Sequence, residues 1–127
     1  MAEHLETGEA GEQLACQWLL EHGFSIVHRN WRHGRDELDV VAQEGRFLVV
    51  VEVKTRILTP HAEQLLFENV TRAKQRRLVG LSTVYSSVAR RRGLQIASIR
   101  IDVIGVLLNP APLTVSKIVH LKGAIGR

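Results

Sequence analysis

Five consecutive apolar residues, Phe47 to Val51, run directly into Glu52, Val53 and Lys54. The stretch "FLVVVEVK" reads as a strand buried on both faces, so the rest of the chain has to cover it. Glu52 and Lys54, two residues apart, share one face of that strand and set opposite charges side by side as it emerges. A buried strand carries such a pair only where the charges meet partners or a ligand.

The 127 residues and 45% hydrophobic content fit one α/β domain spanning 1–127, which buries roughly two thirds of its unfolded surface. Residues 1–6 and the final "KGAIGR" (122–127) read as loose tails. The single cysteine, Cys16, excludes an internal disulfide, and no paired Cys/His spacing suggests zinc. That usage fits a reducing cytoplasm, the expected location. The first 22 residues hold Glu3, Glu6, Glu9, Glu12 and Glu21 without Lys or Arg, unlike a signal peptide. No apolar run reaches the roughly 18 residues needed to cross a bilayer, so a soluble protein is expected.

Residues 7 to 22 follow a helical pattern that ends at Gly23, a favourable stop. "FSIVHRN" is a short strand, and "ELDVVAQ" and "RFLVVVEVK" flank the turn material "EGR", predicting a hairpin. Residues 57 to 68, with Pro60, form a connection of no clear pattern. Asn69 is the expected N-cap of a second helix ending at about residue 91, before Gly93. "LQIASIRIDVIGVL" and "LTVSKIVHL" are further strands around the turn "NPAP". The order αβββαββ describes a mixed central sheet flanked by helices.

A turn centred between Gly45 and Arg46 sets Asp39 opposite Glu52, with Cβ atoms ~5 Å apart on one face. Glu37 and Lys54 join that face by their two-residue spacing. In the first helix Leu14, Ala15, Cys16, Trp18, Leu19 and Leu20 sweep an apolar arc. Glu12 falls near its middle, where an acid needs a partner; an arginine would serve as well as a ligand. In the second helix Val70, Leu78, Leu81, Tyr85 and Val88 share a face with Lys74, and Gln75 lies about a quarter-turn away. A lysine so placed can snorkel or pair with a glutamate.

Residues 69 to 101 carry Arg72, Lys74, Arg76, Arg77, Arg90, Arg91, Arg92 and Arg100 and no acid, while every acid except Asp102 precedes residue 69. With a net charge of +4, this asymmetry suits a polyanion, nucleic acid first; a solvated basic helix would look the same. Gathered together, Glu12, Asp39 and Glu52 would repel, since like charges ~4 Å apart cost ~4 kcal/mol at an effective dielectric of about 20. A hard divalent cation reverses that sign, and Mg2+ takes carboxylates together with waters and a substrate phosphate. Lys54 beside it would orient water and offset charge in a phosphoryl transition state. The six histidines are scattered and suit surface or turn positions, and Trp31 suits packing.

With those residues in view, Asp39 followed on the next strand by "EVK" resembles the PD-(D/E)XK motif of restriction-endonuclease-like nucleases. More closely, "GEQLACQWLLEHGFSIVHRNWR", "ELDVVA", "VVVEVKTR", "KQRRL" and "IRIDVIGV" resemble, in order and spacing, the YraN-type family of small bacterial nuclease-like proteins. The resemblance implies a restriction-endonuclease-like αβββαβ core and kinship with archaeal Holliday-junction resolvases. It also implies Glu12, Asp39 and Glu52 as acids of a metal site, with Lys54 as the catalytic lysine beside Asp39 and Glu52. Lys74 and Gln75 match a basic or amide position that relatives carry near the site. After Arg56, relatives often have a glycine-containing loop where this chain reads "ILTPHAEQLLFE".

The expected function is a Mg2+- or Mn2+-dependent endonuclease that hydrolyses phosphodiester bonds in DNA rather than RNA, with branched or structured DNA in view. Arg72, Arg76 and Arg77, with Lys74 and Gln75, would hold the backbone, giving salt-sensitive and weakly sequence-specific binding. A symmetric junction would call for a homodimer, because two cuts need two sites. The alternatives are a non-catalytic nucleic-acid-binding module, which leaves the acids unexplained, and a protein-interaction adaptor on a nuclease-like scaffold.

Overall fold

A computed structural model of the chain describes residues 2–127, with side chains from residue 8 onward. The elements follow as α1 (Ala2–Glu21), β1 (Ser25–His33), β2 (Asp36–Glu44), β3 (Phe47–Ile57), α2 (Ala62–Glu68), α3 (Arg72–Arg91), β4 (Ser98–Pro110) and β5 (Leu113–Ile125). The strands form a five-stranded mixed sheet in chain order. β3 and β4 are parallel and the other neighbours antiparallel. Parallel neighbours need a crossover, which α2 and α3 supply.

The apolar run is the middle strand, and its two faces meet different helices. Val49 and Val51 face α1, where Ala15, Cys16 and Leu19 pack with Val40, Ala42, Ile104 and Val106. Leu48 and Val50 face α3, where Leu78, Leu81, Tyr85 and Ala89 pack with Leu38, Val41, Ile101 and Val103. A strand covered on both sides has no polar face, which is why the sequence does not alternate there. α1 stops where expected. Gly23 takes φ +87°, and the Phe24 N–H reaches back to the Leu19 carbonyl at 3.0 Å, a Schellman closure. Leu20, placed in the predicted arc, is 59% exposed, so the buried stripe is narrower than the pattern implied. Trp31 packs edge-on against Tyr85, with ring centroids 5.0 Å apart.

Four expectations change. The connection 57–68 contains α2, whose Leu66 seats on Gly105; a Cβ at that glycine would overlap Leu66. α3 is capped by Thr71, which accepts the Lys74 N–H at 3.2 Å, while Asn69 closes α2 instead. The segment 122–127 is not a loose tail: β5 continues to Ile125, which pairs with Ile101 and is 5% exposed in the core. At the other end, the backbone is helical from Ala2, within the segment 1–6 expected to be loose, whereas Met1 and the side chains before Gly8 lie outside the described residues. Among the described residues no helix is long and apolar enough to cross a membrane.

Candidate active site

The β2–β3 hairpin has the register dictated by a two-residue turn at Gly45-Arg46, with Val40 opposite Val51 and Glu44 opposite Phe47. Asp39 therefore comes level with Glu52. Beyond Val40 the strands cease to pair, and Asp39 Oδ2 accepts the Val53 N–H at 2.9 Å. Toward β1, the pairs on either side of Asp39 are Arg29 with Val40 and Trp31 with Leu38; between them Asn30 has a φ of +52°, the one positive value at a non-glycine residue among those described. Leu38 packs under α3 but Val40 and Ala42 pack under α1, although a regular strand would put all three on one face. The alternation breaks at Asp39. Here β2 and β3 part, and side chains from both faces of the sheet reach the gap.

From the α1 side come Glu12 and Glu37. Gly11 permits this, because a Cβ there would overlap Thr55 of β3; the helix lies tight on the strand and delivers the next residue, Glu12. One carboxylate oxygen from each of Glu12, Glu37 and Asp39 lies within 4.8 Å of the others. From the α3 side come Glu52, Lys54 and Lys74. Glu52 is 3% exposed, and its Oε1 sits 2.7 Å from Lys74 Nζ and 3.6 Å from Lys54 Nζ. The sequence reading put Glu37, Asp39, Glu52 and Lys54 on one face; the break at Asp39 divides them between two. Of the three acids named as ligands, Glu12 and Asp39 fall in the three-oxygen group. Glu52 is held beside it by two lysines, and Glu37 takes the third place. Glu12, Glu37, Asp39 and Lys54 line a cavity of about 690 Å³ that also touches Leu65 of α2.

The electrostatics follow from this crowding. Burial, then the charge of Glu52, pushes the Asp39 carboxyl up to about 7 against the help of its Val53 hydrogen bond. Burial also raises Glu12, with Glu37 and Glu52 adding to the rise and Arg29 opposing it. Burial lowers Lys54 despite Glu52, and the like charge of Lys74 lowers it further. Burial would lower Lys74 too, but its hydrogen bond and attraction to Glu52 prevail and raise it. The site therefore holds one fixed cation, Lys74, and one ammonium that parts more readily with its proton, Lys54.

The basic residues named together on α3 separate in space. Lys74 turns inward to Glu52, as one of its two readings allowed. Gln75 donates to the Val70 carbonyl at 3.0 Å, at the start of its own helix. Arg72, Arg76 and Arg77 are exposed, and Arg72, Gln75 and Arg76 border a second cavity of about 440 Å³ with Val79 and Gly126.

Asn30 and Glu37 both lie outside the ligand set expected from the sequence. The Glu-x-Asp spacing of Glu37 and Asp39 was the available signal for the second; for Asn30 there was only its residue type, which tolerates left-handed backbone. His120 departs from the surface role expected of the histidines. Its ring is 7% exposed, accepts from Trp18 Nε1 at Nδ1 (3.2 Å) and donates from Nε2 to Asp102 at 2.8 Å.

The model of the uncharacterised protein family UPF0102 matches residues 11–106. A UPF0102 protein of Renibacterium salmoninarum is 42% identical over 108 residues, 85% of this chain and 87% of that one. One from Phocaeicola vulgatus is 37% identical over 118 residues, 93% of each chain. One from Rhodococcus jostii is 39% identical over 112 residues, 88% of this chain and 91% of that one. The five blocks that resembled the YraN-type family all lie inside the matched span, and the chain belongs to the uncharacterised protein family UPF0102.

Proposed function

We propose that this protein is a Mg2+- or Mn2+-dependent endonuclease of the PD-(D/E)XK type, with a restriction-endonuclease-like core, acting on DNA. The observation that supports it is the meeting of Glu12, Glu37 and Asp39 within 4.8 Å in a cavity that Lys54 also lines. Carboxylate oxygens gathered this closely repel one another, and a hard cation with oxygen ligands fits among them. When bound, such a cation stabilises charge on a phosphoryl oxygen and makes a water more acidic. Glu12, Glu37 and Asp39 would hold it. Lys54, loosened toward deprotonation, orients the attacking water and offsets charge at the phosphate. Glu52 keeps Lys54 and Lys74 together at the wall of the gap, and Arg72, Arg76 and Arg77 grip the backbone.

A second reading has one observation in its favour: Glu52 is neutralised by Lys74 at 2.7 Å, as acids with a purely structural role are. On that reading the protein binds nucleic acid without cutting it. Flapped, branched and single-stranded DNAs incubated with Mg2+ or Mn2+ separate the two, with Glu52→Ala and Lys54→Ala run beside the wild type. Metal-stimulated cleavage that both variants lose while still binding DNA favours the enzyme. Binding with no metal-stimulated cleavage of any substrate favours the binding module.

A further inference from the structure

Asn30 carries no charge and is none of the acids or lysines expected at the site, yet its amide reaches two of the three gathered acids. It stands on β1 between Arg29, which pairs with Val40, and Trp31, which pairs with Leu38, and takes φ +52°, a conformation that glycine accepts freely and asparagine more readily than other side chains. With its amide nitrogen toward the acids, Asn30 donates to Glu12 Oε1 at 2.9 Å and to Glu37 Oε1 at 3.0 Å. The reverse orientation would set three acceptor oxygens against one another, so chemistry selects the donor orientation. Both amide hydrogens are thereby engaged, one with α1 and one with β2. Among the described residues no other side-chain hydrogen bond links Asn30's strand to α1.

We propose that Asn30 is a positioning residue that clamps Glu12 to Glu37, holding the acid group at cation-binding spacing before a cation arrives. The inference rests on the metal-dependent reading above and deepens it. A cation meeting acids already fixed loses less in ordering them. Partners that orient metal ligands without touching the metal act this way, and their loss weakens metal binding by roughly ten-fold or more.

Asn30→Gly is the discriminating variant, because glycine keeps the left-handed backbone and removes only the amide. Calorimetric titration with Mn2+ should show affinity falling by roughly ten-fold relative to wild type. In the metal-free protein Asn30→Gly should lower the thermal midpoint, and most of that loss should disappear when Glu12 and Glu37 are both alanine. An equal loss in both backgrounds overturns the clamp, because the side chain would then stabilise the fold without Glu12 and Glu37. Unchanged Mn2+ affinity overturns the positioning role. If the wild type takes up no Mn2+ while the coupling of midpoints persists, the metal-dependent reading fails and the tie between α1 and β2 stands.

Discussion

Asp39 on β2 and Asp102 on β4 flank the same central strand, and their surroundings give them opposite characters. Asp102 is fully buried and accepts Arg100 Nε at 2.8 Å, Arg100 Nη2 at 3.1 Å, His120 Nε2 at 2.8 Å and the Gly123 N–H at 2.9 Å. Burial alone would raise its pKa, but the bonds from His120 and Arg100 outweigh it and hold the carboxyl below the usual aspartate value. Asp39 accepts one backbone N–H and no side-chain donor; burial and Glu52 push it up to about 7, a rise that Val53 and the charge of Lys74 only partly offset. A carboxylate whose lone pairs are all engaged belongs to the scaffold. One left short of donors among like charges is open to a cation.

The sharpest way to break that contrast is to neutralise each acid without changing its shape. Asp39→Asn should reduce metal-dependent cleavage on the order of 10³-fold, the scale of losing a principal charge-stabilising group. The same change should raise the thermal midpoint of the metal-free protein at alkaline pH, since it removes a charge held among like charges. Asp102→Asn should do the reverse, destabilising the fold by about 3 kcal/mol in chemical denaturation because it leaves Arg100 and His120 short of an acceptor. Below its own unfolding temperature that variant should still bind Mn2+. If both substitutions destabilise alike, Asp39 is a structural acid and the contrast is lost.

The two acids should also separate by pH. Asp39 binds its proton more tightly folded than unfolded, between its ordinary value of 3.8 and about 7. Its contribution to stability is thus fully present below the unfolded value and is lost as pH rises through the folded one. Asp102, lowered from 3.8, contributes stability above its unfolded value and loses it as pH falls through the folded one. The midpoint of the metal-free wild type, taken relative to Asp39→Asn, should therefore fall as pH rises from about 4 to about 8, and saturating Mn2+ should flatten that slope. A difference that does not change with pH would contradict the origin assigned to the shift.

What the sequence made legible was whatever depends on local periodicity. The covered strand at Phe47–Val51, the helix stop at Gly23 and the Asp39–Glu52 register all follow from residues near one another in the chain. The face assignment failed at one residue, because two-residue alternation holds only along regular backbone and Asn30 with Asp39 interrupts it. Glu37 consequently gathers with Glu12 and Asp39. α2 has only Ala62 and Leu66 buried in seven residues, too short a pattern to register as helical. "KGAIGR" looks loose because two of its residues are glycine, and only pairing with Ile101 reveals why Ile125 is covered.

The smallest effects belong to α3, where the contrast is between an ion-paired lysine and exposed arginines. Arg72, Arg76 and Arg77 face water, so on the proposed reading each phosphate contact made by one of them would release counterions. Replacing any one by alanine should weaken DNA binding alike across sequences and reduce the slope of log K against log salt by about 1. Lys74 is already matched to Glu52 at 2.7 Å, and Gln75 is engaged with Val70. Lys74→Ala should therefore leave the salt slope nearly unchanged while disturbing Glu52 and cleavage. A salt slope that shifts as much in Lys74→Ala as in Arg76→Ala would mean that DNA draws Lys74 away from Glu52. Glu52 would then be released beside Asp39 when substrate binds, and the division between a paired acid and an open one would hold only for the protein alone.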